Sequence, residues 1–155
     1  MNPALVGCDD AIIQEVTVRA PAQRIFDALT DPKELLKWWH VEGKFQLIHA
    51  ESDLRPGGNW LMQVAGSCGP GGPSSIVRGE YRIVEPPSLL IFTWIREGED
   101  HPETLVRWDL EEKDGTTMVR VTHSGLNSYR LRARNNGWPM IVKLLQTYIA
   151  NLTKN

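Results

Sequence analysis

Between Lys44 and Ser124 six strand-length stretches follow one another, each closed by a turn, and the chain then ends in one amphipathic stretch of helical period. The stretches run from Lys44 to Glu51, Asn59 to Val64, Ile76 to Glu85, Leu89 to Ile95, Thr104 to Glu111 and Thr116 to Ser124. Between them stand Arg55-Pro56-Gly57-Gly58, a Gly/Pro/Ser stretch from Gly66 to Ser75, Glu85-Pro86-Pro87, an acidic loop around Glu97 to His101, and Lys113-Asp114-Gly115. Connections this short join antiparallel neighbours, because a parallel pair needs a crossover of about a dozen residues or more. The order therefore predicts a meander.

Upstream, Ile12 to Arg19 alternates in polarity with Ile12, Gln14, Val16 and Val18 on one side, the period of a half-buried strand. The period then changes. Pro21 suits a first helical turn, and Ala22, Ile25, Phe26 and Leu29 recur at helical spacing; Asp31-Pro32 starts a second short helix sealed by Leu35, Leu36, Trp38 and Trp39. At the far end Pro139 marks a helix start, with Trp138, Ile141, Val142, Leu145, Tyr148, Ile149 and Leu152 forming its apolar stripe. A sheet with one apolar side needs a cover, and only this last helix is long enough to supply it. The expected class is α+β: a seven-stranded curved antiparallel sheet wrapped around a long C-terminal helix, with two short helices between strands 1 and 2. The 155 residues are expected to form a single domain with its core over about 12–152, a size that buries roughly 70% of the unfolded chain's surface.

Charge and cysteine usage narrow the partners. Seventeen Lys and Arg against nineteen Asp and Glu give a net charge of −2, without the basic excess of a nucleic-acid binder. The longest apolar run, Leu89 to Ile95, falls short of the roughly 20 residues that span a bilayer. The string LVGC ending at Cys8 lacks the basic start and apolar core of a secretion signal, which points to a cytoplasmic location. Cys8 and Cys68 form neither a CxxC motif nor a disulfide framework.

The inner faces are expected to carry Trp60, Met62 and Val64; Val77, Gly79, Tyr81 and Ile83; Leu90, Phe92 and Trp94; Val106, Trp108 and Leu110; and Val119, Val121 and His123. The opposite faces carry charges such as Arg78, Glu80, Arg82, Arg107, Asp109 and Arg120, suited to cross-strand ion pairs. A curved sheet held off a helix by large rings either packs solid with its six Trp or leaves a cavity.

Several strings together resemble a known family: VTVRAPAQRIFDALTDPKELLKWW, DLRPGG followed by NW, GEYRIVEPPSLLIFTW, TMVRVTHSGL and NNGWPMIVKLLQTYI. They are similar to the small proteins homologous to the activator of the heat-shock chaperone ATPase, within the START-like, birch-pollen-allergen-like SRPBCC superfamily. The resemblance covers roughly Ile12 to Leu152 and implies a helix-grip fold with a ligand cavity between sheet and helix. Members of the superfamily bind hydrophobic ligands, transport lipids, cyclise polyketides or hydrolyse small substrates, so the scaffold does not choose among them. The chain has no room for the further chaperone-binding domain of the longer co-chaperones, so chaperone activation is not expected.

The cavity reading makes the partner a small hydrophobic or amphipathic molecule, bound by Trp60, Met62, Phe92, Trp94, Trp108, Ile141 and Leu145, with Tyr81 and His123 orienting it. A homodimer stays open. An alternative is a cyclase, hydratase or hydrolase using His123 as acid or base, although no carboxylate is evident on its face; another is a protein-interaction module. No catalytic residue is assigned. His40-Val41-Glu42 and His49-Ala50-Glu51 share HxE with zinc deaminases but lack PCxxC, and no HExxH occurs, so no metal and no cofactor are expected. The glycines from Gly66 to Gly72 lack the GK[ST] of a phosphate loop. Arg130, Arg132 and Arg134 form a basic patch before the last helix that could steer an anionic head group. One of Trp38 and Trp39 could line the entrance.

Overall fold

The computed structural model describes residues 10–66, 74–98 and 102–152. Cys8, Cys68, His101, most of the Gly/Pro/Ser stretch and part of the acidic loop lie outside them. The first strand, β1 (Ala11–Val18), leads into helices α1 (Ala22–Thr30) and α2 (Pro32–Trp38). Seven strands follow: β2 (His40–Val41), β3 (Phe45–Ser52), β4 (Asn59–Ala65), β5 (Ser75–Glu85), β6 (Leu89–Arg96), β7 (Thr104–Lys113) and β8 (Thr116–Ser124). Helices α3 (Tyr129–Arg134) and α4 (Trp138–Leu152) close the chain.

All strands join one antiparallel sheet in the order β1-β8-β7-β6-β5-β4-β3-β2. The expected meander and its helical cover are both present. The sheet has eight strands where seven were expected, because His40 and Val41 pair with Gln46 and Phe45 in a ladder too short to show a period. A second difference is α3, a short helix absent from the expected order, which holds the three arginines of the basic patch. Ser128 starts it by accepting a hydrogen bond from the Leu131 N–H at 3.2 Å.

The short helices form for local reasons. Asp31 accepts from the Lys33 N–H at 2.9 Å while Pro32 occupies the first turn of α2. The N-terminus of α1 has no cap of its own; Glu112 of β7 takes the Ala22 N–H at 2.7 Å and places a carboxylate at the positive end of the helix dipole. Helix α4 buries Trp138, Ile141, Val142, Leu145 and Ile149, while Leu152, expected in the same stripe, is exposed. Gln146 ties α4 to the Thr17 carbonyl of β1 at 2.8 Å.

The inner face follows the alternation with one exception. An extra residue on β5 shifts the pairing from Tyr81↔Phe92 to Ile83↔Ile91. The bulge turns Val84 onto the core opposite buried Leu90, and moves Ile83, expected inside, to the other face. The outer face carries ion pairs of which Arg120 Nε with Glu15 at 2.7 Å is cross-strand as expected, while Arg78 reaches Glu97 just past β6 at 2.6 Å and Arg107 pairs with Asp109 along β7 itself at 2.8 Å. Exposed pairs of this kind contribute about 0–1 kcal/mol each. No helix among the described residues is long and apolar enough to cross a membrane.

Candidate functional site

The inner rings touch one another in a chain: Tyr81 to Phe92, Phe92 to Trp60, Trp60 to Trp94, Trp94 to Trp138, Trp138 to Trp39, and Trp39 to Trp38. The contacts are tilted or edge-on, with the Trp94 and Trp138 centroids 5.4 Å apart at 56° and Trp39 meeting Trp138 at 89°. Flat rings at such angles leave wedges that no neighbouring side chain fills.

The larger wedge is a cavity of about 160 Å³. Met62 and Val64 of β4, Val77 of β5 and Trp94 of β6 form its sheet wall; Phe45 and Trp39 close one side, Trp138 and Ile141 of α4 the other. Ser75, Arg96, Asn135 and Gly137 give it a polar margin. Asn135 Nδ2 donates to the Leu131 carbonyl at 2.8 Å, and Arg96 reaches Asn135 Oδ1 at 3.4 Å and the Arg134 carbonyl at 3.3 Å. A smaller cavity of about 40 Å³ lies beside it, walled by Trp60, Tyr81, Leu90, Phe92 and Trp108, with Glu51 and Ser52 near its edge. Met62, Trp39, Trp94 and Trp138 border both. They are the partition.

The expected pocket residues thus separate into groups. Met62, Trp94 and Ile141 line the larger space, whereas Trp60, Tyr81, Phe92 and Trp108 line only the smaller one. Leu145 lines neither and is wholly buried in solid packing. His123 also lies outside both cavities, with no exposed surface. Trp138 Nε1–H donates to its Nδ1 at 3.0 Å, so that nitrogen offers its lone pair and the ring proton sits on Nε2, 2.7 Å from the Thr104 hydroxyl oxygen. Thr104 passes its own proton toward the Trp94 carbonyl at 3.3 Å. A ring held at both nitrogens by the protein is an interior strut.

Of the tryptophan pair before β2, Trp38 is the anchor, its Nε1–H on the Ala28 carbonyl at 2.9 Å, and half-buried Trp39 is the one that faces the cavity. Phe45, Asn135 and Trp138 were not anticipated as lining residues. The signal for Trp138 was its place one turn before Ile141 on the same stripe; Phe45 and Asn135 carry no periodic signal.

Two close fits hold the sheet wall. Trp60 pairs with Gly79 and lays its indole across it to reach the Thr93 carbonyl at 3.2 Å. The β5–β6 pairing skips Gly79 and Glu80 at this place, and the Glu80 N–H goes instead to the Thr93 hydroxyl at 2.8 Å. A Cβ at Gly79 would run into the Thr93 carbonyl and come within 2.8 Å of the Trp60 indole nitrogen. The RPGG turn is fastened similarly: the Gly57 N–H donates to the Tyr81 carbonyl and the Tyr81 N–H to the Gly58 carbonyl, both at 2.8 Å. Tyr81 then meets Ser52 hydroxyl to hydroxyl at 2.8 Å. Burial raises the Tyr81 pKa above its ordinary value, the Ser52 hydrogen bond opposes that, and the charge of Asp53 adds to it.

Three of the inner indoles therefore have acceptors, on Ala28, Thr93 and His123. Trp94 Nε1–H does not; it is the buried side-chain polar atom without a protein partner among the described residues. No described group of three or more His, Cys, Asp or Glu is arranged to hold a metal ion, and His49 is engaged with Glu51 on the exposed surface at 2.6 Å.

An aromatic-lined hollow between a curled antiparallel sheet and a long C-terminal helix defines a helix-grip domain. The chain belongs to the family of the Activator of Hsp90 ATPase homolog 1-like proteins, whose sequence profile matches residues 19–150. No curated protein matches it. Its structure is similar to that of protein CV1439 from Chromobacterium violaceum, at 22% identity, over 90% of this chain and 97% of that one, with a TM-score of 0.78. CalU16 from Micromonospora echinospora is 26% identical over 93% of this chain and 78% of its own, with a TM-score of 0.66. An AHSA1-like protein from Aeromonas hydrophila is 20% identical over 94% and 95% of the two chains, at 0.73.

Proposed function

We propose that this protein binds a small, largely apolar molecule of one or two fused rings in the cavity bounded by Trp39, Met62, Val77, Trp94, Trp138 and Ile141. The carrying observation is the size and lining of that cavity, about 160 Å³ of mostly apolar wall. An apolar cavity of roughly 150 Å³ takes up benzene, whereas a sterol or a long acyl chain exceeds the volume severalfold. Burying about 200 Å² of ligand surface contributes roughly 5 kcal/mol before association costs, so a bare hydrocarbon probe is expected to bind no tighter than about 0.2 mM.

Binding without turnover is favoured by His123, whose ring nitrogens are taken by Trp138 and Thr104 outside the cavity wall. Titration of the protein with toluene, naphthalene and palmitate, followed by tryptophan fluorescence, tests the reading. Saturable change with the two hydrocarbons and none with palmitate is the expected result; no saturable change with either hydrocarbon overturns it.

A further inference from the structure

We infer that the ligand's ring carries a carboxylate, and that Arg96 at the margin of the larger cavity is the residue that selects it. The inference rests on the binding role proposed above and names the chemical class the cavity prefers.

The polar lining of the larger cavity is gathered where three strand ends meet the connection between α3 and α4. Ser75 opens β5 opposite Val64 near the end of β4, and Arg96 closes β6 opposite Val77. Asn135 and Gly137 come from the α3–α4 connection, and the remaining lining residues are apolar. A ring held by that wall is oriented, with its polar substituent turned to this margin.

Arg96 is the one charged residue of the lining, and no acidic side chain among the described residues joins it there. It is half-buried, with Nε on Asn135 Oδ1 at 3.4 Å and one terminal nitrogen on the Arg134 carbonyl at 3.3 Å. Asn135 is in turn fixed, 3% exposed and donating to the Leu131 carbonyl at 2.8 Å. These two neutral oxygens set the guanidinium in place, and neither brings a full negative charge to it. Glu97, the next residue, turns to the outer face and takes Arg78 at 2.6 Å. A guanidinium beside an apolar chamber prefers a carboxylate to a neutral oxygen, because a hydrogen bond between ionised groups is roughly twice as strong and is screened less where water is excluded on one side. At the margin the carboxylate also keeps part of its hydration, which the apolar wall would deny it.

The test sets benzoate against benzamide, which match in shape and differ in charge, with toluene as the bare ring. Each is titrated at neutral pH into wild type, Arg96→Gln and Arg96→Lys, followed by the NMR signals of the 15N-labelled indoles. Benzoate should bind wild type about tenfold tighter than benzamide, the effect of one hydrogen bond between charged groups. In Arg96→Gln that ratio should fall close to one with the Kd for toluene unchanged, and Arg96→Lys, a point charge in place of the planar fork, should give a ratio between the two. If benzoate binds wild type no better than benzamide, if either substitution leaves the ratio at its wild-type value, or if Arg96→Gln weakens all three ligands alike, as loss of a mere tie to α3 would, the carboxylate assignment is overturned and the binding role stands. If none of the three saturates wild-type protein, both fall together.

Discussion

The two halves of the sheet's concave side share one alternation of inward residues and differ in how well they are filled. On β7, β8 and the distal part of α4, Val106, Val119, Val121 and Leu145 are fully buried, at 0% exposure. On β4 to β6 and the first turn of α4, Trp60, Met62, Val64, Phe92 and Trp94 keep 5–9% and border the cavities. Branched aliphatic side chains on a pleated surface interdigitate with a helix, whereas the indoles of Trp60, Trp94 and Trp138 and the phenyl ring of Phe92, meeting at angles, hold it off. The apolar pattern says which residues face inward; their shape decides whether the space closes.

Truncation gives the sharpest separation of the halves. Leu145→Ala should cost about 3–5 kcal/mol in urea unfolding, since its neighbours are close-packed, and Met62→Ala about 2 kcal/mol or less, because its atoms already border empty space. Equal losses would break the comparison. His123→Ala, at the seam between the halves, strands the Trp138 indole N–H and takes away the donor to the Thr104 hydroxyl oxygen, and should cost about 2–4 kcal/mol by the same measurement. Gly79→Ala should cost about 2–3 kcal/mol, because its methyl displaces the Thr93 carbonyl or the Trp60 indole. Filling the cavity with Val64→Phe should change stability by under about 1 kcal/mol while abolishing the toluene-induced fluorescence change.

The smallest expected effect is one of pH. The folded-state pKa of Tyr81 lies above its unfolded value near 10, so the unfolded chain loses this proton first. Its contribution to stability is present below pH 10 and disappears as pH climbs through the folded-state value. Melting temperatures of Tyr81→Phe should accordingly fall less between pH 9 and 11 than those of the wild type.

The order of the longer elements, the inner positions of β7 and β8 and the helical cover were readable, because each rests on a repeating period or a turn residue with one physical meaning, whereas two-residue β2 and one-and-a-half-turn α3 are too short to show a period. The bulge in β5 was not, since a single extra residue leaves alternation intact on either side while exchanging the roles of Ile83 and Val84. His123 was placed on the correct face, yet its acid-base candidacy could not be weighed without the Trp138 indole, fifteen residues away, lying against its ring. The cavity lining was legible where it lies on strands, as at Met62 and Trp94, and illegible at Phe45 and Asn135, which are brought in by chain ends near α2 and α3.

Trp94 stands between a chamber of about 160 Å³ and one of about 40 Å³. Under the proposed binding role it would share with Trp39, Met62 and Trp138, the other members of the partition, in setting the upper size limit for a guest. A slimmer side chain at position 94 would widen the passage between the two spaces from the sheet side.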